Sequence, residues 1–158
     1  MDTLTATVRQ QGEGEQAWFC GGGRLTWKVT GAETGGAFFM FEDQLERGKV
    51  TPLHIHPNAD ETFYLVEGEL LLHIDGEETV LGAGGVAVFP RNVPHAFMVT
   101  SPTARMLEFQ NPAAGEAFYR HASEARPTPV DFDRIRAAAE ATGAIEILGP
   151  PPFRPPVG

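Results

Sequence analysis

The chain has 158 residues, 42% of them apolar and 21% charged, the proportions of one globular domain long enough to bury its own core. Its 21 acidic against 12 basic residues leave a net charge of −9, which argues against a nucleic-acid partner. Cys20 stands alone, so no internal disulfide is possible. No apolar run reaches membrane-spanning length and residues 1–6 carry no signal-peptide pattern, so a cytoplasmic protein without membrane contact is expected.

In chain order, residues 1–16 are polar and unpatterned and read as an N-terminal arm, ordered only if it pairs elsewhere. Ala17 to Cys20 and Arg24 to Thr30 read as strands around Gly21-Gly22-Gly23, with Leu25, Trp27 and Val29 alternating against polar neighbours. Cys20 is expected as a small packed hydrophobe. Phe38 to Phe41 form an apolar run of strand length that presents aromatics on both faces. Strands are then predicted over Lys49 to His56, Thr62 to Val66 and Glu69 to Ile74. Asp75-Gly76 signals a hairpin turn, and strands follow at Glu77 to Leu81, Val86 to Phe89, Ala96 to Thr100 and Arg105 to Gln110. About nine or ten short strands with many Gly and Pro turns suit an all-β sandwich or jelly-roll barrel. Asp131 is the predicted N-cap of a helix over Phe132 to Thr142, with Gly143 as its stop and Phe132, Ile135 and Ala139 on its inward stripe. Ala144 to Leu148 reads as a last strand, before a Pro-rich tail.

The chemistry lies between Gly48 and His95. His54 and His56 are two apart and share one face of a strand; Glu61 follows a turn rich in Pro57, Asn58 and Asp60; His95 follows a Pro-bounded turn. Three imidazoles and a carboxylate make a donor set suited to Fe, Mn, Co, Ni, Cu or Zn. His73 and His121 are expected outside it, on a strand surface and in a solvated loop.

The spacing Gly-x5-His-x-His-x4-Glu-x6-Gly, met at Gly48, His54, His56, Glu61 and Gly68, resembles the first cupin motif. The second, Gly-x5-Pro-x-Gly-x2-His-x3-Asn, is met at Gly84, Pro90 and His95 and departs at Asn92 and Val99. Asn can still adopt the positive φ of the missing glycine, whereas Val99 exchanges a polar group for an apolar one. The resemblance implies a double-stranded β-helical barrel over residues 17–122 and a C-terminal helix and tail, 123–158, packed upon it. It also implies one divalent metal on His54, His56, Glu61 and His95, and a homodimer as the family habit.

Strand parity turns Phe97 and Val99 inward with His95, and Phe63 with Glu61, so an apolar pocket is expected around the metal. Glu61 to Gly68 and the Phe132 to Glu140 helix are similar to actinobacterial quercetinases. That similarity implies a dioxygenase cleaving an enolic or flavonol-type aromatic substrate with O2, with Glu61 as ligand and base and Phe63, Phe97 and Val99 beside the substrate. A metal-dependent isomerase or epimerase is the alternative; it calls for an inward Lys, Tyr or Glu, which the ligand strands scarcely offer. A non-catalytic metal or small-molecule binder is the third possibility.

Overall fold

Alternation of apolar and polar residues sets the chain's strands, each turning one face toward the core. The computed structural model describes residues 4–154; the first residues of the arm and the end of the Pro-rich tail lie outside them. Its strands are β1 (Gln16–Phe19), β2 (Arg24–Val29), β3 (Phe39–Glu46), β4 (Leu53–Ile55), β5 (Asp60–Glu67), β6 (Glu69–Ile74) and β7 (Glu77–Gly82). They continue with β8 (Val86–Phe89), β9 (His95–Val99), β10 (Thr103–Asn111), β11 (Ser123–Glu124) and β12 (Glu146–Gly149), and the helices are α1 (Glu116–His121) and α2 (Phe132–Thr142). Two antiparallel sheets result, ordered β11-β1-β2-β3-β10-β5-β8 and β12-β4-β9-β6-β7. This is the all-β double-stranded β-helix.

Register decides what shares a layer inside. Phe89, Glu61, Gln110 and Phe39 lie side by side across β8, β5, β10 and β3. The next row is Ala87, Phe63, Glu108 and Phe41, and all eight side chains are buried. Two apolar clusters flank these rows. One joins Phe19, Leu25, Trp27, Phe39 and Phe41 to the helices through Phe118 and Ile135; the other gathers Phe63, Leu65, Leu72, Phe89, Phe97 and Val99.

Several elements differ from their sequence reading. β3 runs past Phe41 to Glu46, because Asp43 and Leu45 keep the inward alternation that the Phe38–Phe41 run begins. The ligand-bearing strand is short. Pro52 brings no N–H to a ladder, and only Leu53–Ile55 pair regularly, with one further bridge from Val50 to Met98. Helix α1 went unread, since six residues with two buried side chains leave little periodic signal.

Helix α2 has its expected bounds. Asp131 Oδ1 accepts from the Arg134 N–H at 3.0 Å, and Gly143 ends the helix in the left-handed region at φ 64°. Its buried stripe is Ile135, Ala138 and Ala139; Phe132 is turned out, at 39% exposure. Phe132 sits at the first helical position, beside the cap and off the contact face. The N-terminal arm is pinned where Arg9 meets Glu33 at 2.6 Å and donates to the Lys28 carbonyl at 2.7 Å. His121 is exposed at the end of α1, and half-buried His73 meets the Phe153 ring edge-on.

Candidate metal centre

β4 presents His54, and His56 follows just beyond its end; Glu61 enters at the second residue of β5 and His95 opens β9. Cross-strand pairing sets His54 opposite His95, and Glu61 lies between Phe89 and Gln110. On its other side β4 pairs with β12, with Ile147 opposite His54, so the C-terminal segment braces the ligand strand. Asn92 adopts φ 64° and its N–H donates to the His56 carbonyl at 3.1 Å. The asparagine thus makes the left-handed turn where the motif has glycine, and ties the β8–β9 corner to the ligands. At Gly68, φ is 94° and a Cβ would fall 2.5 Å from the Thr103 carbonyl oxygen, which leaves room for glycine alone.

One donor atom from each of His54, His56, Glu61 and His95 lies within 4.8 Å of the others, and all four residues are buried. His54 Nδ1 stands 2.8 Å from the Pro52 carbonyl oxygen and His95 Nδ1 2.9 Å from that of Val93. A carbonyl only accepts, so both Nδ1 atoms carry the proton and both Nε2 lone pairs are free to bind a metal. Phe89 stacks on the His95 ring at 4.2 Å and 12°, which fixes its plane. Burial, then the neighbouring His95 and His56, hold the His54 pKa well below 6.5 and keep its imidazole neutral. Burial opposes ionisation of Glu61, but His56 and then His95 outweigh it and hold the carboxyl below its ordinary range.

The residues fit a cation. His95 Nε2 and His56 Nδ1 are buried without a hydrogen-bond partner among the described residues. Ring nitrogens left unpartnered in this way are costly in a core unless something binds them. His56 Nε2 lies against Glu61 Oε2, and His95 Nε2 is 3.9 Å from the same oxygen. Three imidazoles and one carboxylate could hold any of the first-row divalent ions named above.

Beside the cluster lies a cavity with about 40 Å³ of room for water centres, space for a few waters. Phe97 lines it together with His54, His56 and Glu61, whereas Phe63 and Val99 do not. Parity does turn both inward, but into the second apolar cluster, where each is 1% exposed. The apolar wall comes instead from Phe19 on β1, Phe118 on α1, Ile135 on α2 and Ile145.

The polar wall was missed in the sequence. Asp43, Lys49, Glu108 and Tyr119 all border the cavity, so the inward Lys, Tyr and Glu that the ligand strands lack arrive from other elements. Gln110 Nε2 bridges the two carboxylates, donating to Glu61 Oε2 at 3.2 Å and Glu108 Oε1 at 3.4 Å, and the Tyr119 hydroxyl donates to Glu108 Oε1. Burial drives Asp43 up and Lys49 down from their ordinary pKa values, each against the pull of the other's charge. Lys49 Nζ donates to the Gly21 carbonyl at 2.6 Å and sits 4.8 Å from the Phe19 ring centre. The signal for Glu108 and Gln110 was present: they share the inward parity of Ala104 and Met106 on β10.

Gly115 tests how tightly this wall is built. Its φ of −83° suits any residue, but a Cβ there would fall on Gln110 Oε1. Gly115→Ala should therefore push Gln110 off the two carboxylates and cost about 1–3 kcal/mol. Thermal melting and metal content report it; unchanged values for both would mean that Gln110 moves aside freely.

An antiparallel β-helix of two sheets carrying three histidines and a glutamate on its inner face defines a barrel whose interior fits a metal ion. The sequence profile of the Cupin domain matches residues 41–109. A polyketide synthase CurC of Streptomyces cyaneus is 32% identical over 108 residues, covering 68% of this chain and 68% of that protein. The chain belongs to the cupin superfamily. It is also 29% identical over 150 residues to a quercetin 2,3-dioxygenase of Bacillus subtilis, an alignment covering 89% of this chain. The chain spans only 44% of the length of that relative. Among solved structures, KdgF from a Halomonas species superposes with a TM-score of 0.62 at 19% identity, over 68% of this chain and 94% of that one, which is a likeness of fold.

Proposed function

We propose that this cupin is a metal-dependent dioxygenase acting on an enolic substrate. The observation that supports it is the buried His54, His56, Glu61 and His95 set, its free lone pairs converging beside a cavity walled by Phe19, Phe97 and Phe118. A first-row divalent ion held there supplies a Lewis acid that favours an oxyanion, since one carboxylate and three neutral imidazoles leave net positive charge. The chain's own residues do the rest. Burial keeps His54 neutral, Glu61 contributes the charge and stands near enough to accept a substrate proton, and the phenyl rings exclude water from a flat, unsaturated ligand. The alignment with a quercetin 2,3-dioxygenase adds a flavonol as one candidate substrate.

The size of the cavity grades the candidates. Space for a few waters receives a compact enol directly, whereas a flavonol needs lining side chains to give way. Oxygen uptake by protein of measured metal content, with compact enols and flavonols side by side, is the test. Uptake above the metal-free control is expected for at least one enol, and none with any of them would sink the dioxygenase reading.

A second reading is a metal-dependent isomerase or epimerase, which uses the metal as a Lewis acid without oxygen. Lys49, Glu108 and Tyr119 on the cavity wall favour it, because moving a proton between carbon atoms needs protein groups to carry that proton. It predicts exchange of a carbon-bound hydrogen with solvent in the absence of oxygen.

A further inference from the structure

Among the described residues, the buried polar side chains are Thr26, Asp43, His54, His56, Glu61, His95, Glu108 and Gln110. Four of these are the candidate ligands, and Glu108 and Gln110 continue from them along the sheet. Glu108 is the anomaly. It is 3% exposed and forms no ion pair among the described residues; its partners are the Gln110 amide and the Tyr119 hydroxyl. In the same row stand Ala87, Phe63 and Phe41, so an apolar residue would suit the packing. A lone carboxyl kept in such a place lowers stability. Where it also borders a cavity next to a candidate metal centre, chemistry is the compensating gain.

We propose that Tyr119 and Glu108 form a proton relay for the substrate of this cavity, Tyr119 meeting the substrate and Glu108 receiving the proton. The inference rests on the cavity being the site of an enolic or enolisable substrate and holds for either reaction above. Both side chains border the cavity, and the Tyr119 hydroxyl already donates to Glu108 Oε1. The substrate O–H or C–H bond breaks and its electron pair stays on the substrate. That hydrogen passes to Tyr119 Oη while the phenolic hydrogen passes to Glu108 Oε1. The tyrosine ends neutral, the carboxylate ends as a carboxyl, and the reverse transfer returns the proton to the product. Gln110 is a positioning residue, since its amide holds Glu108 at a set distance from Glu61.

Proton affinity agrees with this direction. Burial, then the charge of Glu61, raises the Glu108 carboxyl well above its ordinary range, which makes it a stronger proton acceptor than an exposed carboxylate. Asp43 and Lys49 face the same cavity, one acidic and one basic.

The test compares wild type, Tyr119→Phe and Glu108→Gln, all loaded with metal and matched for metal content and melting temperature. Two probes are used without oxygen. A flavonol reports ionisation of its bound hydroxyl by a long-wavelength absorbance shift, and a small α-hydroxyketone in D2O reports deuterium uptake at carbon by NMR. Wild type is expected to ionise the first or exchange the second. Both variants should retain metal and probe binding but lose the shift or the exchange, with kcat for any turnover falling about a hundredfold or more and KM little changed. Glu108→Gln keeps the shape of the wall if Tyr119→Phe fails to fold. Equal ionisation or exchange in wild type and variants overturns the relay and leaves the enolic site standing. Exchange that the variants lose, without oxygen uptake by wild type, upholds the relay and removes the dioxygenase. Neither signal in wild type overturns the relay and the enolic reading together.

Discussion

Chelation is expected to lower the melting temperature sharply, and His56→Ala to leave the protein without stoichiometric metal. The four donors come from β4, β5, β9 and the loop after β4, so a bound ion joins segments that the chain brings together only on folding. Whatever binds the folded state alone stabilises it by mass action, about 4 kcal/mol at free metal a thousandfold above its Kd. For a domain of this size that is a shift of roughly 10 °C. His56 is the donor to remove first, because its Nδ1 lacks a hydrogen-bond partner among the described residues and its Nε2 meets only another candidate ligand, Glu61. Its imidazole is tied into the fold less by its own bonds than by an ion it could bind. Metal analysis and thermal melting of the same samples check this; full occupancy in His56→Ala would take His56 out of the donor set.

Glu61→Gln should lose part of the metal and nearly all oxygen consumption. The substitution preserves size and one oxygen donor while removing the only negative charge in the donor set. Gln110 offers its amide N–H groups to this position, so a glutamine at 61 must turn its own oxygen toward Gln110 or set two amide N–H groups against each other. Turnover per bound metal separates the two roles of the carboxylate. A wild-type rate per metal would make Glu61 a ligand only and leave the proton to Tyr119 and Glu108. A rate near zero at retained metal would make it a base as well.

These two experiments bear on residues that the sequence brings into view by spacing alone. His54, His56 and Glu61 lie within eight consecutive positions, where strand parity and one turn settle their relation locally. Placing His95 depended on a second motif, and its pairing opposite His54 is a long-range contact that completes the cluster. The polar wall was harder to see. Glu108 and Gln110 look like ordinary strand residues until Ala104 and Met106 are recognised as their inward neighbours. Tyr119 lies on a six-residue helix with almost no pattern of its own. Lys49 reads as the first residue of the predicted ligand strand, and its placement in the cavity depends on Gly21, nearly thirty residues earlier.

By itself the sequence determined the all-β class, the sites of most turns, helix α2 with its Asp131 cap and Gly143 stop, and the candidate ligands. Each of these follows from local rules: strand alternation, turn chemistry, capping and short motif spacing. Only the tertiary structure decided what surrounds the ligands. Phe63 and Val99 point inward as parity requires, yet both pack into the apolar cluster with Leu65, Leu72 and Phe89, and neither lines the cavity. Phe19, Phe118, Ile135 and Ile145 make the apolar wall because β1, α1 and the C-terminal segment close over that end. Parity assigns a side chain to a face of a sheet; sheet closure and the register of β3, β10, β5 and β8 assign it a depth. Depth is a property of the folded barrel, and it sets Glu108 and Tyr119 beside the metal ligands while Val99 remains core.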